Sequence, residues 1–221
     1  MASFRTEYQK VSDALREAIL RGDFSPGERL PQRKLAEQFG TTTITVREAL
    51  RTLCSEGLVE IEPKWGATVV ELSPQKLEGQ YIVREALEGM AARLASIRMN
   101  ETQRAVLLEK ADECDRQLPS DELELHEKVE LHYSLHELIA MGSGCDELVA
   151  AIRRLNVFSL LLLNAYHDSI TEDPPGWHRT LAEAVAGPDP DEAERLMRAH
   201  IRHGLEFELQ KMRMLEKELP W

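Results

Sequence analysis

The sequence predicts a mainly α-helical protein in two parts: an N-terminal winged helix-turn-helix with a small β-hairpin wing, and a C-terminal all-α helical bundle. Strand-like alternation is confined to LVEIEPKWGATVVEL (58–72), whereas apolar residues recur at helical spacing before and after it. The first 70 residues carry ten basic and ten acidic side chains, so the whole net charge of −12 falls on the rest of the chain. We therefore predict two domains, residues 1–73 and 74–221.

The composition narrows the class of protein. With 221 residues, 43% hydrophobic and 30% charged, the chain can bury a sizeable core. No apolar run is long enough to span a bilayer, and the start MASFRTEYQK lacks the apolar segment of a signal peptide. Cys54, Cys114 and Cys145 are odd in number and widely spaced, which argues against a disulfide framework and a CxxC metal site. We expect a cytoplasmic protein without a membrane partner.

The N-terminal elements follow in a recognisable order. An amphipathic helix is predicted over residues 6–22, and the Pro-Gly of FSPGERLP (24–31) ends it. A short helix (33–39) stops at Gly40, and a longer one follows to about residue 56. The alternating segment after it predicts a hairpin that turns near Gly66.

The two short helices have the pattern of a helix-turn-helix. Ala36 is small where the helices would cross, and Gly40 permits the positive φ of a tight turn. Thr42 or Thr45 could cap the second helix, the latter with Glu48 as a capping box. The start of such a helix faces base edges in the DNA major groove, and here it offers Thr41, Thr42, Thr43, Thr45 and Arg47. Lys64, near the wing tip, is a further candidate for a phosphate or the minor groove.

Short helix-turn-helix patterns also occur in unrelated helical proteins, so the complete order of elements carries the prediction. The segments GDFSPGERLPQRKLAEQFG, VREALRTLCSEGLVE and GATV resemble the DNA-binding domain of the GntR superfamily of bacterial transcriptional regulators. The resemblance implies that Arg33, Arg47, the 42–45 segment and the wing around Gly66 contact double-stranded operator DNA. The family usually has Ser-Arg-Thr-Pro where this chain has residues 42–45, TTIT. The absent arginine removes a typical guanine or phosphate contact, so we expect a different operator sequence.

The C-terminal part predicts six helices, at about 75–97, 100–117, 121–141, 145–169, 175–186 and 190–217. His132 and His136 lie four apart and share a helix face. His178 and His200 fall on apolar stripes of later helices, and His203 could compete with His200. A histidine in a bundle is usually a hydrogen-bonded core or surface residue. Burying four without partners would cost a few kcal/mol, which a divalent metal ion would offset.

The same part resembles the FadR-type C-terminal domain (FCD), and its short helical complement is similar to the VanR-like branch. The matching segments are REALEGMAARLA (84–95), SLHELIAMGSG (134–144), WHRTLAEAV (177–185) and DEAERLMRAHI (191–201). In metal-containing members, one aspartate and three histidines bind a metal at the floor of the effector cavity. The resemblance implies His136, His178 and His200 as ligands, and it places His132 where those members have the aspartate.

Replacing a carboxylate by an imidazole changes the expected chemistry. Four neutral imidazoles would leave a divalent ion at a formal charge of +2, and they favour a transition metal such as Zn, Ni or Cu over Mg or Ca. We expect Zn or Ni, and an anionic effector, most simply a small organic acid. The resemblance also suggests that Arg84 binds the carboxylate of the effector. The alternative, of equal weight, is that Arg84 forms an ion pair with Glu88. Asn156 and Asn164 are weaker effector-binding candidates.

Three functions remain open at this point. The first is a ligand-responsive regulator, more commonly a repressor in this family, that binds a palindromic operator as a homodimer. The second is a related regulator without metal, whose cavity takes an acyl chain or acyl-CoA lined by LNVFSLLLLN (155–164). The third is a metalloenzyme with a metal-activated water. Against the third, HEKVELH (126–132) is not HExxH, and no general base is identifiable by its spacing.

Overall fold

A computed structural model describes residues 6–71, 73–155 and 173–218, without the side chains of residue 126 and residues 214–218. The predicted fold class is confirmed, and the described chain divides into two compact units, with the division along the chain at about residue 72. In the first unit the elements are α1 (Glu7–Leu20), α2 (Gln32–Gln38), α3 (Thr43–Ser55), β1 (Val59–Glu62) and β2 (Gly66–Val69). β1 and β2 form an antiparallel hairpin, with Val59 opposite Val69 and Glu62 opposite Gly66.

The helix-turn-helix packs as its apolar spacing predicts. Leu15 and Ile19 of α1 are buried, as are Val46 and Leu50 of α3, and the two helices pack against each other. Gly40 has a φ of 60° in the turn between α2 and α3, a backbone conformation that residues other than glycine rarely adopt.

The cap of α3 differs from one of the two alternatives offered by the sequence. Thr42 is the N-cap residue, and its hydroxyl accepts a hydrogen bond from the backbone N–H of Thr45 at 3.2 Å. The capping box of Thr45 with Glu48 is therefore wrong, because the helix already begins at Thr43 and Thr45 lies inside its first turn.

The second unit contains α4 (Pro74–Arg98), α5 (Glu101–Gln117), α6 (Leu125–Gly142), α7 (helical from 146 to 155 in its described part), α8 (Trp177–Ala186) and α9 (Pro190–Glu218). Ser73 caps α4 ahead of its N-terminal proline, and Asn100 caps α5. α6 begins four residues later than expected, because Glu124 and Glu127 form a capping box there.

α4 is the central helix of this unit and packs along α6 and α9, while α5 packs along α6 and α8. Gly89 allows the close approach of α4 to α9, since a Cβ atom at this position would lie 2.9 Å from Cγ of Arg198. Within the described ranges, no helix combines the length and apolar character needed to cross a membrane. The helices instead bury one side each, which brings inward-facing polar side chains from different helices together.

Candidate functional site

Three imidazole nitrogens meet in the interior of the helical unit. Nε2 of His136 lies 2.9 Å from Nε2 of His132 and 3.2 Å from Nε2 of His200, and the latter two atoms are 3.4 Å apart. α6 supplies the first two rings, one turn apart, and α9 supplies the third. With metal–nitrogen bonds of about 2.0–2.1 Å, ligand nitrogens lie about 2.9 Å apart at right angles and about 3.3 Å apart in a tetrahedron. The observed nitrogen–nitrogen distances therefore match those between ligands of a single metal ion.

The tautomer of His136 is set from the far side of its ring. Nδ1 lies 2.5 Å from Oε2 of Glu88, and both side chains are buried. Arg84 and His136 lower the pKa of Glu88 to about 2 in spite of the opposing effect of burial, so this carboxylate is ionised and only accepts hydrogen bonds. Nδ1 of His136 therefore donates its proton to Glu88, which leaves Nε2 as the nitrogen that faces the other two rings. Carboxylates behind metal-binding histidines commonly orient them in this way.

Glu88 also answers the question that the sequence left open for Arg84. Nε of Arg84 donates to Oε1 of Glu88 at 2.8 Å, and the two side chains are 4% and 2% exposed. The guanidinium lies over the rings of Tyr81, at 4.8 Å, and Tyr133, at 5.8 Å. The ion pair is thus present, and a role of Arg84 in holding an effector stays a prediction.

His178 is oriented by a second carboxylate. Its Nδ1 lies 2.8 Å from Oδ1 of Asp115 on α5. The two oxygens of Asp115 also accept the backbone N–H groups of His178 and Arg179 in the first turn of α8, at 3.2 and 2.9 Å. Asp115 therefore anchors the start of the helix and the ring together. With Nδ1 as the donor, Nε2 of His178 faces the interior, where it is buried without a hydrogen bond.

His178 belongs to the same cluster as the other three rings. Its ring centroid lies 5.2 Å from that of His132 and 5.4 Å from that of His200. Burial and the neighbouring imidazoles hold the pKa values of His132 and His200 well below the usual value, so both rings are neutral and keep a lone pair at pH 7. Burial opposes the charged form of His178, yet Asp173 and Asp115 raise its pKa. The donor set fits a divalent transition metal, since imidazole is a ligand that Zn, Ni and Cu prefer.

One residue near the rings was not expected from the sequence. Oδ2 of Asp173, in the segment before α8, lies 3.3 Å from Nε2 of His178. One donor atom each from His132, His178 and Asp173 lie within 4.8 Å of one another. His203, considered as a competing ligand, has Nε2 3.6 Å from Oδ1 of Asp173. Asn156, Asn164 and all of LNVFSLLLLN except its first residue lie outside the described residues.

The candidate DNA-contacting residues lie on the surface of the first unit. Thr42, Thr43 and Thr45 form the start of α3, where the hydroxyls of Thr42 and Thr45 are 3.1 Å apart. Ile44, between Thr43 and Thr45, is 69% exposed. It was not predicted from the sequence, because only side chains that can form hydrogen bonds were considered there. An exposed aliphatic side chain here can contact a thymine methyl group in the major groove.

The wing brings further candidates next to α3. Arg47, Lys64 and Gly66 line one surface depression between α3 and the hairpin. Lys64 has a φ of 72° at the turn, and Trp65 after it is 67% exposed with Arg29 over its ring. Arg33 is exposed on α2. Arg51, Ile61 and Glu62 line the same depression, so its surface is of mixed character, and DNA contact by the candidate residues stays a prediction.

Both parts of the chain match known protein families. Residues 7–69 match the bacterial regulatory proteins of the gntR family, and residues 81–203 match the FCD domain. The HTH-type transcriptional repressor GlaR of Escherichia coli (strain K12) is 30% identical over 199 residues, covering 85% of this chain and 89% of that protein. The uncharacterized HTH-type transcriptional regulator YdhC of Bacillus subtilis (strain 168) is 26% identical over 201 residues, covering 90% and 89%.

Solved structures share the fold. E. coli McbR/YncC aligns with a TM-score of 0.68 at 22% identity, covering 95% of this chain and 100% of that one. A putative transcriptional regulator GntR from Rhodococcus sp. RHA1 aligns with a TM-score of 0.67 at 22% identity, covering 94% and 98%.

Proposed function

Because the chain belongs to the GntR family of bacterial regulatory proteins and carries an FCD domain, it is a transcriptional regulator and not an enzyme, and we propose that it is a ligand-responsive repressor. GntR regulators bind operator DNA and small-molecule effectors. GlaR, which matches most of this chain, is named a transcriptional repressor, and a relative in Paenarthrobacter nicotinovorans is named a "Probable D-xylose utilization operon transcriptional repressor". In this proposal, effector binding weakens the hold on the operator and relieves repression.

The effector site is proposed at the four histidines of the helical unit. The observation that carries it is the convergence of three Nε2 atoms within 2.9–3.4 Å, with His178 at their side. Rings packed so closely do not satisfy all of one another's nitrogens, since Nδ1 of His200 and Nε2 of His178 are buried without hydrogen bonds. A bound divalent ion, Zn or Ni in this proposal, supplies positive charge and open positions for the carboxylate of a small organic acid.

The proposed homodimer is supported by one face of α4. Val83, Met90 and Ile97 recur every seven residues along this helix and are 45%, 40% and 60% exposed. A seven-residue repeat of apolar side chains is the spacing with which one helix packs along another. A second copy of the chain would bury these three side chains, and two winged units would then meet a two-fold-related operator.

The proposal is tested with the full chain purified without chelator. Metal content is measured together with fluorescence anisotropy on a promoter fragment from upstream of its own gene, with small carboxylic acids added singly. We expect about one ion per chain, and an acid that weakens DNA binding only while the ion is present. A chain without stoichiometric metal would refute the metal site and favour the acyl alternative.

His132→Ala tests the site directly, because it removes the ring shared by most of the close contacts. The substitution should lower metal content and abolish the acid response, while DNA binding without acid is retained. His126→Ala is the matched control on the same helix, since its spacing of six residues predicts a different face. Equal metal content in the two variants would contradict the assignment of His132 as a ligand.

A further inference from the structure

Asp173 is an acidic side chain that neither the histidine pattern nor the family resemblance assigns. It precedes α8 by four residues, and its side chain is 9% exposed. Its Oδ2 atom is buried without a hydrogen bond, and so is Nε2 of His178, 3.3 Å away. An ionised carboxylate oxygen in such a place is costly unless a cation or a donor faces it. These two atoms form an ion pair when His178 is protonated, and when the ring is neutral both can be ligands of one cation.

These two atoms adjoin the three-ring cluster. Donor atoms of His132, His178 and Asp173 lie within 4.8 Å of one another, and donor atoms of His132, His136 and His200 form a second such group. His132 is common to both groups. Its Nε2 atom already faces the other two rings at 2.9 and 3.4 Å, and one imidazole nitrogen has a single lone pair. The two groups therefore cannot each hold an ion at the same time, and a single ion bound by His132 would draw its other ligands from both groups.

We infer that Asp173 is the anionic ligand of the proposed ion and replaces, from another part of the chain, the carboxylate that His132 displaces. This inference rests on the metal-dependent function proposed above. With Asp173 included, a divalent ion has a formal charge of +1 rather than the +2 expected from four imidazoles alone. Five protein donors leave one position of a six-coordinate ion, so the effector would bind through a single oxygen. Such a donor count favours an ion that accepts six ligands, such as Ni²⁺, over tetrahedral Zn²⁺.

The test uses Co²⁺ as a spectroscopic probe in the full chain and compares wild type with Asp173→Asn. Asparagine keeps the size of the side chain and removes its charge. Asp112→Asn is the matched control, because Asp112 lies on α5, is half-exposed and pairs with Arg179 away from the rings. Visible absorption of Co²⁺ reports the coordination number, and titration against a competing chelator gives the Kd.

We expect Asp173→Asn to bind one Co²⁺ with a Kd raised about 10- to 100-fold, and with a visible spectrum changed in intensity. Asp173→Glu, which restores the charge, should recover part of the lost affinity, whereas Asp112→Asn should match wild type. If Asp173→Asn binds Co²⁺ with the wild-type Kd and spectrum, Asp173 is not a ligand and the histidine site stands without it. If wild type binds no Co²⁺, the proposed metal function fails and this inference fails with it.

Discussion

Glu88→Gln is the substitution whose effect on stability the structure specifies most closely. Glu88 is ionised and buried, and it pairs with Arg84, which is also buried. Removing one partner of a buried ion pair costs about 3–5 kcal/mol, because the other charge is left uncompensated in the interior. The amide oxygen of glutamine can still accept from Arg84, so we expect the lower end, a loss of about 3 kcal/mol. This is a large share of the roughly 5–15 kcal/mol that stabilises a typical domain.

The measurement is urea unfolding of the full chain, followed by circular dichroism in excess chelator so that no bound ion contributes. Glu85→Gln is the matched control on the same helix. Glu85 contacts Arg202 and Arg198 in a partly exposed ion pair, which contributes at most about 1 kcal/mol. Equal midpoints for the two variants would show that the buried pair does not stabilise the helical unit as the geometry requires.

A compensating variant separates charge burial from lost packing. Arg84→Met combined with Glu88→Met replaces both charged side chains by apolar ones, and apolar replacement of a buried pair is often neutral or stabilising. We therefore expect the double variant to recover most of the stability that Glu88→Gln loses. Its metal affinity should stay about 10- to 100-fold below wild type, because the carboxylate that fixes the tautomer of His136 is still absent.

Two further predictions concern the DNA surface and the dimer. Lys64→Ala at the wing turn should weaken operator binding and reduce the slope of log K against log salt by about 1, since one phosphate contact is lost. Lys110→Ala, on α5 of the helical unit, is its control and should leave the slope unchanged. Met90→Asp should convert the proposed dimer to a monomer in size-exclusion chromatography, because it places a charge in the middle of the apolar stripe on α4. Val106→Asp, an equally exposed apolar position on α5, should leave the dimer intact.

Each of these has an outcome that would count against it. A Lys64→Ala variant with an unchanged salt slope would remove the wing turn from the DNA contacts. A monomeric wild type, or a Met90→Asp variant that elutes like wild type, would mean that the α4 stripe is not the surface joining two copies.

The helical period explains why the ring positions could be predicted. His132 and His136 are four apart, and His178 and His200 fall in line with apolar neighbours on their own helices. Once the helices pack with those stripes inward, the rings are confined to one interior region. The structure does bring the four predicted residues together, although their role as ligands stays a proposal.

The carboxylates around the rings could not be assigned in the same way. Asp115 lies 63 residues before the ring it orients, and Glu88 lies 48 residues before His136. The periodicity of apolar residues predicts which face of each helix is buried. It does not predict which residues of different helices contact one another. Glu88 was recognisable only as the residue four positions after Arg84. Asp173 lies in a Pro-rich connection without helical spacing, so no pattern pointed to it.

The proposed ion would take its histidine ligands from α6, α8 and α9 and its carboxylate ligand from the segment before α8, and the orienting carboxylates stand on α4 and α5. Binding or loss of the ion or of the effector therefore alters the packing free energy of helices that are distant from one another in the sequence. An effector can change operator affinity only if it binds one arrangement of these helices more tightly than another. A typical coupling of about 1–3 kcal/mol corresponds to about a 5- to 150-fold change in DNA affinity. Glu88 and Arg84 stand on α4, the helix that directly follows the wing in the chain, so the buried pair connects the ring cluster to the first helix beyond the DNA-binding unit.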